Sequence, residues 1–218
     1  MEDNPLNIII LGRSGSGKGT QAKLLVEELN LEYIATGDLL RAFAERGNIA
    51  GLKLKETLTH GKLVPSWFAF FIWMEKLAYT NMHKGVLFDG SPRKIAEAEM
   101  LDDVLAWFGR TNMKVVLIDI SREEAHHRLS NRMVCPSCGK GAYKKNDGNT
   151  RCRYCQAELI ARPDDDPMAI ESRLDWFENE VIRVIEYYRA KGCLITVSGE
   201  QSPEDAHREI MGKLGLAA

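Results

Sequence analysis

The chain has 218 residues, 44% hydrophobic and 28% charged, with 29 basic against 31 acidic side chains for a formal charge of −2. That length can bury a sizeable core, as one domain with insertions or one and a half, and the near-neutral balance argues against a dedicated nucleic-acid binder, which carries a basic excess. No apolar run is long enough to span a bilayer and the N-terminus Met1-Glu2-Asp3-Asn4-Pro5 has no signal-peptide character, so the expected compartment is the cytoplasm.

Strand-like runs stand at Leu6–Leu11, Tyr33–Ala35, Val86–Asp89, Val115–Ile120 and Leu194–Val197. Helical patterns alternate with them, which predicts βαβ logic and a parallel, helix-covered sheet. Directly after the first run comes Gly12-Arg13-Ser14-Gly15-Ser16-Gly17-Lys18-Gly19-Thr20, followed by a helical pattern from Lys18 to Leu29. Strand, glycine loop and helix in that order form a phosphate-binding loop. Gly15 and Gly17 let the backbone N–H groups curl inward, the helix N-terminus adds its dipole, and Lys18 adds a full charge. The spacing fits the general motif except that Gly19 follows the lysine and Thr20 comes one position late. A bound nucleoside triphosphate is the expected ligand.

Between the second and third strands, Gly37–Arg46, Gly51–His60 and Pro65–Met82 predict an all-helical excursion. Its stretch Trp67–Met74 is apolar nearly all round and reads as a buried core helix rather than a base-stacking platform. Ser121-x-x-Glu124 and Ser202-Pro203-x-Asp205 are helix starts, the second with proline at the first helical position. A helix from about Pro167 to Ala190 returns the chain to the sheet. His60, His83, His126, His127 and His207 are scattered and read as surface or helix residues.

The segment from Val134 to Ala161 is turn-rich and holds Cys135-x-x-Cys138 and Cys152-x-x-Cys155, thirteen residues apart. In a reducing compartment such pairs bind metal rather than form disulfides. Each knuckle points two thiolates at one ion, and four thiolates suit a tetrahedral Zn²⁺ with no open coordination position, hence a structural metal. Cys193 stands alone and reads as a small buried hydrophobe. Lys140, Lys144, Lys145, Arg151 and Arg153 surround the ribbon, so a zinc-ribbon nucleotide sensor or nucleic-acid-binding module is the rival from another class.

Several motifs then combine. Ala35-Thr36-Gly37-Asp38-Leu39-Leu40-Arg41, Gly61-Lys62-Leu63-Val64-Pro65, Phe88-Asp89-Gly90-Ser91-Pro92-Arg93, Arg128-x3-Arg132, Arg162-Pro163-Asp164-Asp165 and Arg173 occur in order. With the loop variant Gly17-Lys18-Gly19-Thr20-Gln21, they resemble the adenylate kinases over nearly the whole chain, which also accounts for the late threonine. The resemblance implies an α/β fold of P-loop type: a five-stranded parallel sheet flanked by helices, with a helical acceptor-binding insertion and a zinc-ribbon lid. It implies a core of 1–35, 66–130 and 166–218, an insertion of 36–65 and a lid of 131–165.

The implied reaction is Mg²⁺-dependent phosphoryl transfer from ATP to AMP giving two ADP, by a monomer, with no nucleic-acid or membrane partner. Such transfer needs positioning and charge stabilisation more than a general base, which suits bidentate guanidinium groups. By resemblance, Lys18, Arg93, Arg128, Arg132, Arg162 and Arg173 are the catalytic set. Gly15, Ser16, Gly17, Lys18, Gly19, Thr20, Arg128, Arg132, Ala142, Tyr143 and Gln201 bind ATP. Thr36, Gly37, Arg41, Lys62, Leu63, Val64, Gly90, Arg93, Glu97, Arg162 and Arg173 bind AMP. Thr20 and Asp89 lie near Mg²⁺, and Asp164 and Asp165 orient lid arginines.

Two departures bear on the acceptor. Glu97 stands where the family usually has a glutamine that both accepts from and donates to adenine, and an ionised carboxylate loses the donor. Glu97 is then protonated, or turned away, or opposite a base that presents donors, as guanine does; a surface helix position is the plain alternative. Thr36 matches AMP-using members, and Ser91 replaces a usual bulky aromatic.

Overall fold

The computed structural model describes residues 4–143, 150–162 and 165–216. Strand β1 (Asn7–Leu11) is buried at all five positions, its apolar run Ile8–Leu11 being that of a strand covered on both faces. It lies at the centre of a five-stranded sheet with β2 (Glu32–Ala35), β3 (Val86–Asp89), β4 (Met113–Asp119) and β8 (Leu194–Ser198), in the order β2-β3-β1-β4-β8. All four pairings are parallel, with Ile9 opposite Phe88 on one side and Val115 on the other. The five expected strands agree with these bounds to within two residues.

Strand alternation splits the core into two layers. Ile9, Leu11, Phe88, Val115 and Leu117 pack towards Trp73, Leu101 and Tyr188, residues of α4 (Ser66–Ala78), α5 (Ile95–Trp107) and α8 (Ile182–Ala190). Ile8, Ile10, Leu87, Val116 and Ile118 pack towards Ala22, Leu25 and Ile210, on α1 (Lys18–Glu28) and α9 (Pro203–Leu214). A parallel sheet between two helical layers is therefore the architecture.

Two segments depart from it. The insertion carries α2 (Thr36–Ala44) and α3 (Ile49–Thr59), and packs Leu40, Phe43, Leu54 and Val64 with Phe68, Ala69 and Ile72 of α4 in a core of its own. The cysteine segment forms an antiparallel three-stranded sheet, ordered β6 (Gly141–Tyr143), β5 (Arg132–Val134), β7 (Ile160–Ala161). Helix α4 is more one-sided than its composition suggests: Phe68, Ala69, Ile72 and Trp73 are buried, but Trp67 is 67% and Phe71 48% exposed.

Helix α6 (Arg122–Ser130) starts on Ser121, whose hydroxyl accepts from Glu124 N, and α9 starts on Ser202, which accepts from Asp205 N. Both were legible as capping signatures. The long returning helix is α7 (Pro167–Trp176), then a π-turn at Phe177–Val181, then α8. Its N-cap is Asp166, which accepts from Met168 N at 2.9 Å and Ala169 N at 3.2 Å. Proline stands at the first helical position after this cap. Cys193 is half-buried and its thiol donates to Tyr188 O at 3.6 Å. No helix among the described residues is long and apolar enough to cross a membrane.

Candidate active site and metal centre

The sheet order reverses at β1, so its neighbours β3 and β4 depart to opposite sides and leave a crevice at the strands' carboxyl ends. The glycine loop after β1 and the Asp89–Arg93 turn after β3 both open there. Gly15 and Gly17 take φ of +85° and +96°, the left-handed region, and Gly17 caps α1. Ser16 is buried and its hydroxyl has no hydrogen-bond partner among the described residues. Gly19 and the exposed Thr20 form the first turn of α1.

Lys18 folds back over the loop, donating to Gly12 O at 2.8 Å and Arg13 O at 2.7 Å. Burial draws its ammonium down to about 8, and the charges of Arg93, Arg132 and Arg173 push the same way while Asp89 opposes them. Those five groups, drawn from four separate segments of the chain, therefore act on one another across the crevice. Such a cluster of like charge calls for a polyanion.

After β3, Gly90 (φ +86°) brings its backbone so close to Arg93 that a Cβ would stand 3.3 Å from that guanidinium. Arg93 is influenced by Glu97, Asp89, Arg41 and Arg173. Arg41 lies over Gly37 and pairs with Asp38. Thr36 opens α2, is buried, and like the buried Ser91 makes no hydrogen bond with its hydroxyl among the described residues. Lys62 N donates to Thr57 O at 3.2 Å, Leu63 follows it, and Val64 is buried against the insertion's core. Glu97 is 3% exposed, so the surface position is excluded. Its Oε2 accepts the Arg93 backbone N–H at 2.8 Å, and burial raises its carboxyl above the usual range against the pull of Arg93 and Lys94.

On α6, Arg128 donates from Nε to Glu124 at 2.6 Å and lies beside the loop, Nη1 to Gly15 O at 3.5 Å. The Asp165 side chain is almost fully buried and receives Arg132 through Nε at 2.6 Å and Nη2 at 2.7 Å, and Arg173 through Nη2. Arg162 follows β7, half-buried, and its carbonyl accepts from Asp165 N at 3.0 Å. Ala142 pairs with Met133 within the ribbon sheet. Gln201 donates to Ser198 O and to Glu209, at the edge of the sheet away from the Asp89–Arg93 turn. Asp164 and the side chain of Tyr143, together with Lys144 and Lys145, lie outside the described residues.

Two residues, Tyr33 and Arg13, make contacts that were not foreseen. The Tyr33 hydroxyl donates to Asp89 Oδ2 at 3.0 Å and so orients the carboxylate that faces Lys18. Arg13, inside the glycine loop, donates to Ile120 O at 2.8 Å and stacks on Phe177 at 4.6 Å from the ring centroid. Neither lies in a local spacing; partners more than fifty positions apart leave no periodic signal.

The four paired cysteines converge. All four sulphurs lie within 4.8 Å of one another, with Cys135–Cys155 at 3.3 Å and Cys138–Cys152 at 3.6 Å. Four ligands 2.3 Å from a tetrahedral centre stand about 3.8 Å apart, so the set fits Zn²⁺. Backbone N–H groups of Cys155 and Tyr154 stabilise the Cys152 thiolate and draw it down to about 6. Cys135 and Cys152 are buried and Cys138 and Cys155 exposed, a closed site at the surface of a small module.

A family model described as adenylate kinase matches residues 10–193. The chain is 36% identical to an adenylate kinase of Chlamydia muridarum, with 98% of this chain and 89% of that protein covered. It is 39% identical to one of Chlamydia pneumoniae (93% and 94% covered) and 36% to one of Methanocella arvoryzae (94% and 96%).

Proposed function

On the premise that the chain belongs to the adenylate kinase family and is a phosphotransferase, we propose that it transfers the γ-phosphoryl of Mg·ATP to AMP, reversibly, giving two ADP. The observation that carries this reading is the cluster of Lys18, Arg93, Arg132 and Arg173 around the crevice, with Asp89 among them. Two nucleotide phosphate chains repel each other, and a ring of fixed cations offsets that repulsion and the charge of the transferring group.

In this reading the Gly15–Thr20 backbone and Lys18 hold the donor phosphates, and Lys18 leaves the Gly12 and Arg13 carbonyls to do so. Arg41 and Arg93 grip the acceptor phosphate. Arg128, Arg132, Arg162 and Arg173 close over the transferring group, the second and fourth aligned by Asp165. Ala142 and Tyr143 cover the donor base and Gln201 reaches it; Thr36, Gly37, Lys62, Leu63, Val64, Gly90 and Glu97 enclose the acceptor nucleoside. Water exclusion by the insertion and the ribbon prevents hydrolysis of the donor.

The Asp89 carboxylate and the Thr20 hydroxyl are hard oxygen donors beside the loop, 3.8 Å separating Asp89 Oδ2 from where a Cβ on Gly19 would stand, and they fit Mg²⁺. When bound, the ion would neutralise donor phosphate charge. Zn²⁺ in the four-cysteine site would hold the ribbon together.

The buried Glu97 supports a second reading, the same reaction with another acceptor base. Ionised, it would favour a base that presents donors; protonated, it reproduces the donor-acceptor pair of an amide. Coupled assays with AMP, GMP, CMP and UMP at fixed ATP decide between them. AMP used at a kcat/KM well above the others supports the first; GMP preferred supports the second; transfer to none overturns both.

A further inference from the structure

The acceptor insertion rejoins the core through Gly61, and there it meets α7. Gly61 has φ +63°, and a Cβ on it would lie 2.7 Å from Ala169 O, so two backbones touch with no room for a side chain. Its carbonyl accepts from two α7 side chains, Trp176 Nε1 at 3.0 Å and Ser172 Oγ at 3.4 Å. Beyond this contact the two elements part: an open groove of about 840 Å³ lies between Lys62 and Leu63 on one side and Ser172, Asp175 and Trp176 on the other.

Trp176 has a second partner. The Arg93 guanidinium stands over its ring face, Cζ 5.0 Å from the centroid. One indole thus holds the exit of the acceptor insertion with its N–H and the half-buried Arg93 with its π face. The polar edge and the electron-rich face of the same rigid ring act on separate groups, so neither partner moves without the other.

We propose that Trp176 is a positioning residue for the acceptor side, fixing the Arg93 guanidinium in register with the insertion that encloses the acceptor. The proposal rests on the reading of Arg93 as an acceptor-phosphate clamp. It places the acceptor-side register in α7, the helix that also carries Arg173. The donor side is held by the glycine loop, which Trp176 does not contact through any of these interactions.

Three variants test it. Trp176→Leu removes ring and N–H together; Trp176→Phe keeps an aromatic face and removes the N–H. Gly61→Ala leaves Trp176 in place and forces the insertion off Ala169. For Trp176→Leu the AMP KM, and the AMP Kd by calorimetry without donor, rise about tenfold, while the ATP KM stays within about twofold. Trp176→Phe gives a smaller rise, about threefold, because the cation–π contact survives. Gly61→Ala weakens AMP in the same one-sided way. A general packing defect would lower Tm and move both KM values together. Unchanged AMP constants in folded Trp176→Phe and Gly61→Ala, or equal rises for AMP and ATP, would overturn the proposal while leaving the functional reading intact. Wild-type protein that transfers to no monophosphate would overturn that reading instead.

Discussion

Glu97 Oε2 accepts the backbone N–H of Arg93 at 2.8 Å. The carboxyl that stands where the resemblance implies a glutamine is thereby fastened to the turn that presents Arg93. It sits at the third position of α5, where a glutamate commonly reaches back to the helix start.

This contact has a pH signature. Burial raises the Glu97 carboxyl, so the folded chain binds its proton more readily than the unfolded one. Stability from this group is gained as pH falls through the folded value, and its ionised form costs stability at neutral pH. Glu97→Gln carries no charge and keeps a carbonyl for the Arg93 N–H. Its Tm is expected above wild type at pH 7.5, with the difference shrinking towards pH 5; a difference that grows on acidification would refute this. Glu97→Ala leaves the Arg93 N–H without its acceptor and is expected to cost about 1–3 kcal/mol by denaturant unfolding. In the acceptor panel, Glu97→Gln should raise AMP selectivity over GMP.

The charge of Lys18 is held at a cost to stability. Its ammonium is drawn down to about 8 from an ordinary value of 10.5, so between those values the unfolded chain binds more protons. Stability of the nucleotide-free protein therefore rises with pH across that window. Lys18→Met should melt higher than wild type at pH 7 and lose most of the rise between pH 8 and 10.5. Its kcat is expected to fall about 10²–10³-fold, the usual effect of removing one preorganised charge. A destabilised Lys18→Met at pH 7 would show that the two carbonyl contacts outweigh the burial.

Asp165 binds two arginines in a nearly solvent-free position. Asp165→Asn removes the charge that both guanidinium groups face, and breaking a buried pair costs about 3–5 kcal/mol. The expected result is a lower denaturation midpoint together with a loss in kcat, since Arg132 and Arg173 lose their alignment. A fall in stability with kcat untouched would confine Asp165 to a structural role.

The four-cysteine cluster predicts about one Zn²⁺ per chain by metal analysis, since it is the one such cluster among the described residues and four thiolates fill a tetrahedral ion's shell. Chelation should lower Tm and release the ribbon's sheet to exchange before the central sheet, because metal binding and folding of such a module are one equilibrium. Cys152→Ser should reproduce the effect without chelator. Metal-free protein with an unchanged melting curve would contradict a structural metal.

Continuous apolar strands, the glycine loop, the two serine caps and the paired cysteines are local features, and their periods and spacings alone determined the parallel sheet, the phosphate loop and the metal module. Motif order added the family and the arginine positions. What no local pattern carried was which groups meet. Tyr33 finds Asp89, Arg13 reaches Phe177, and Trp176 holds both Gly61 and Arg93, all through contacts between distant segments. The outward side of α4 was hidden for the same reason, since composition cannot say which flank of an apolar helix lacks a neighbour. Glu97 shows the division most clearly. Its identity was plain from the chain, but its burial and its hold on the Arg93 N–H exist only because α5 docks where β3 ends. Local periodicity records how a segment folds on itself; the sheet's crossovers decide which side chains share a site, and that information resides in no single stretch of sequence.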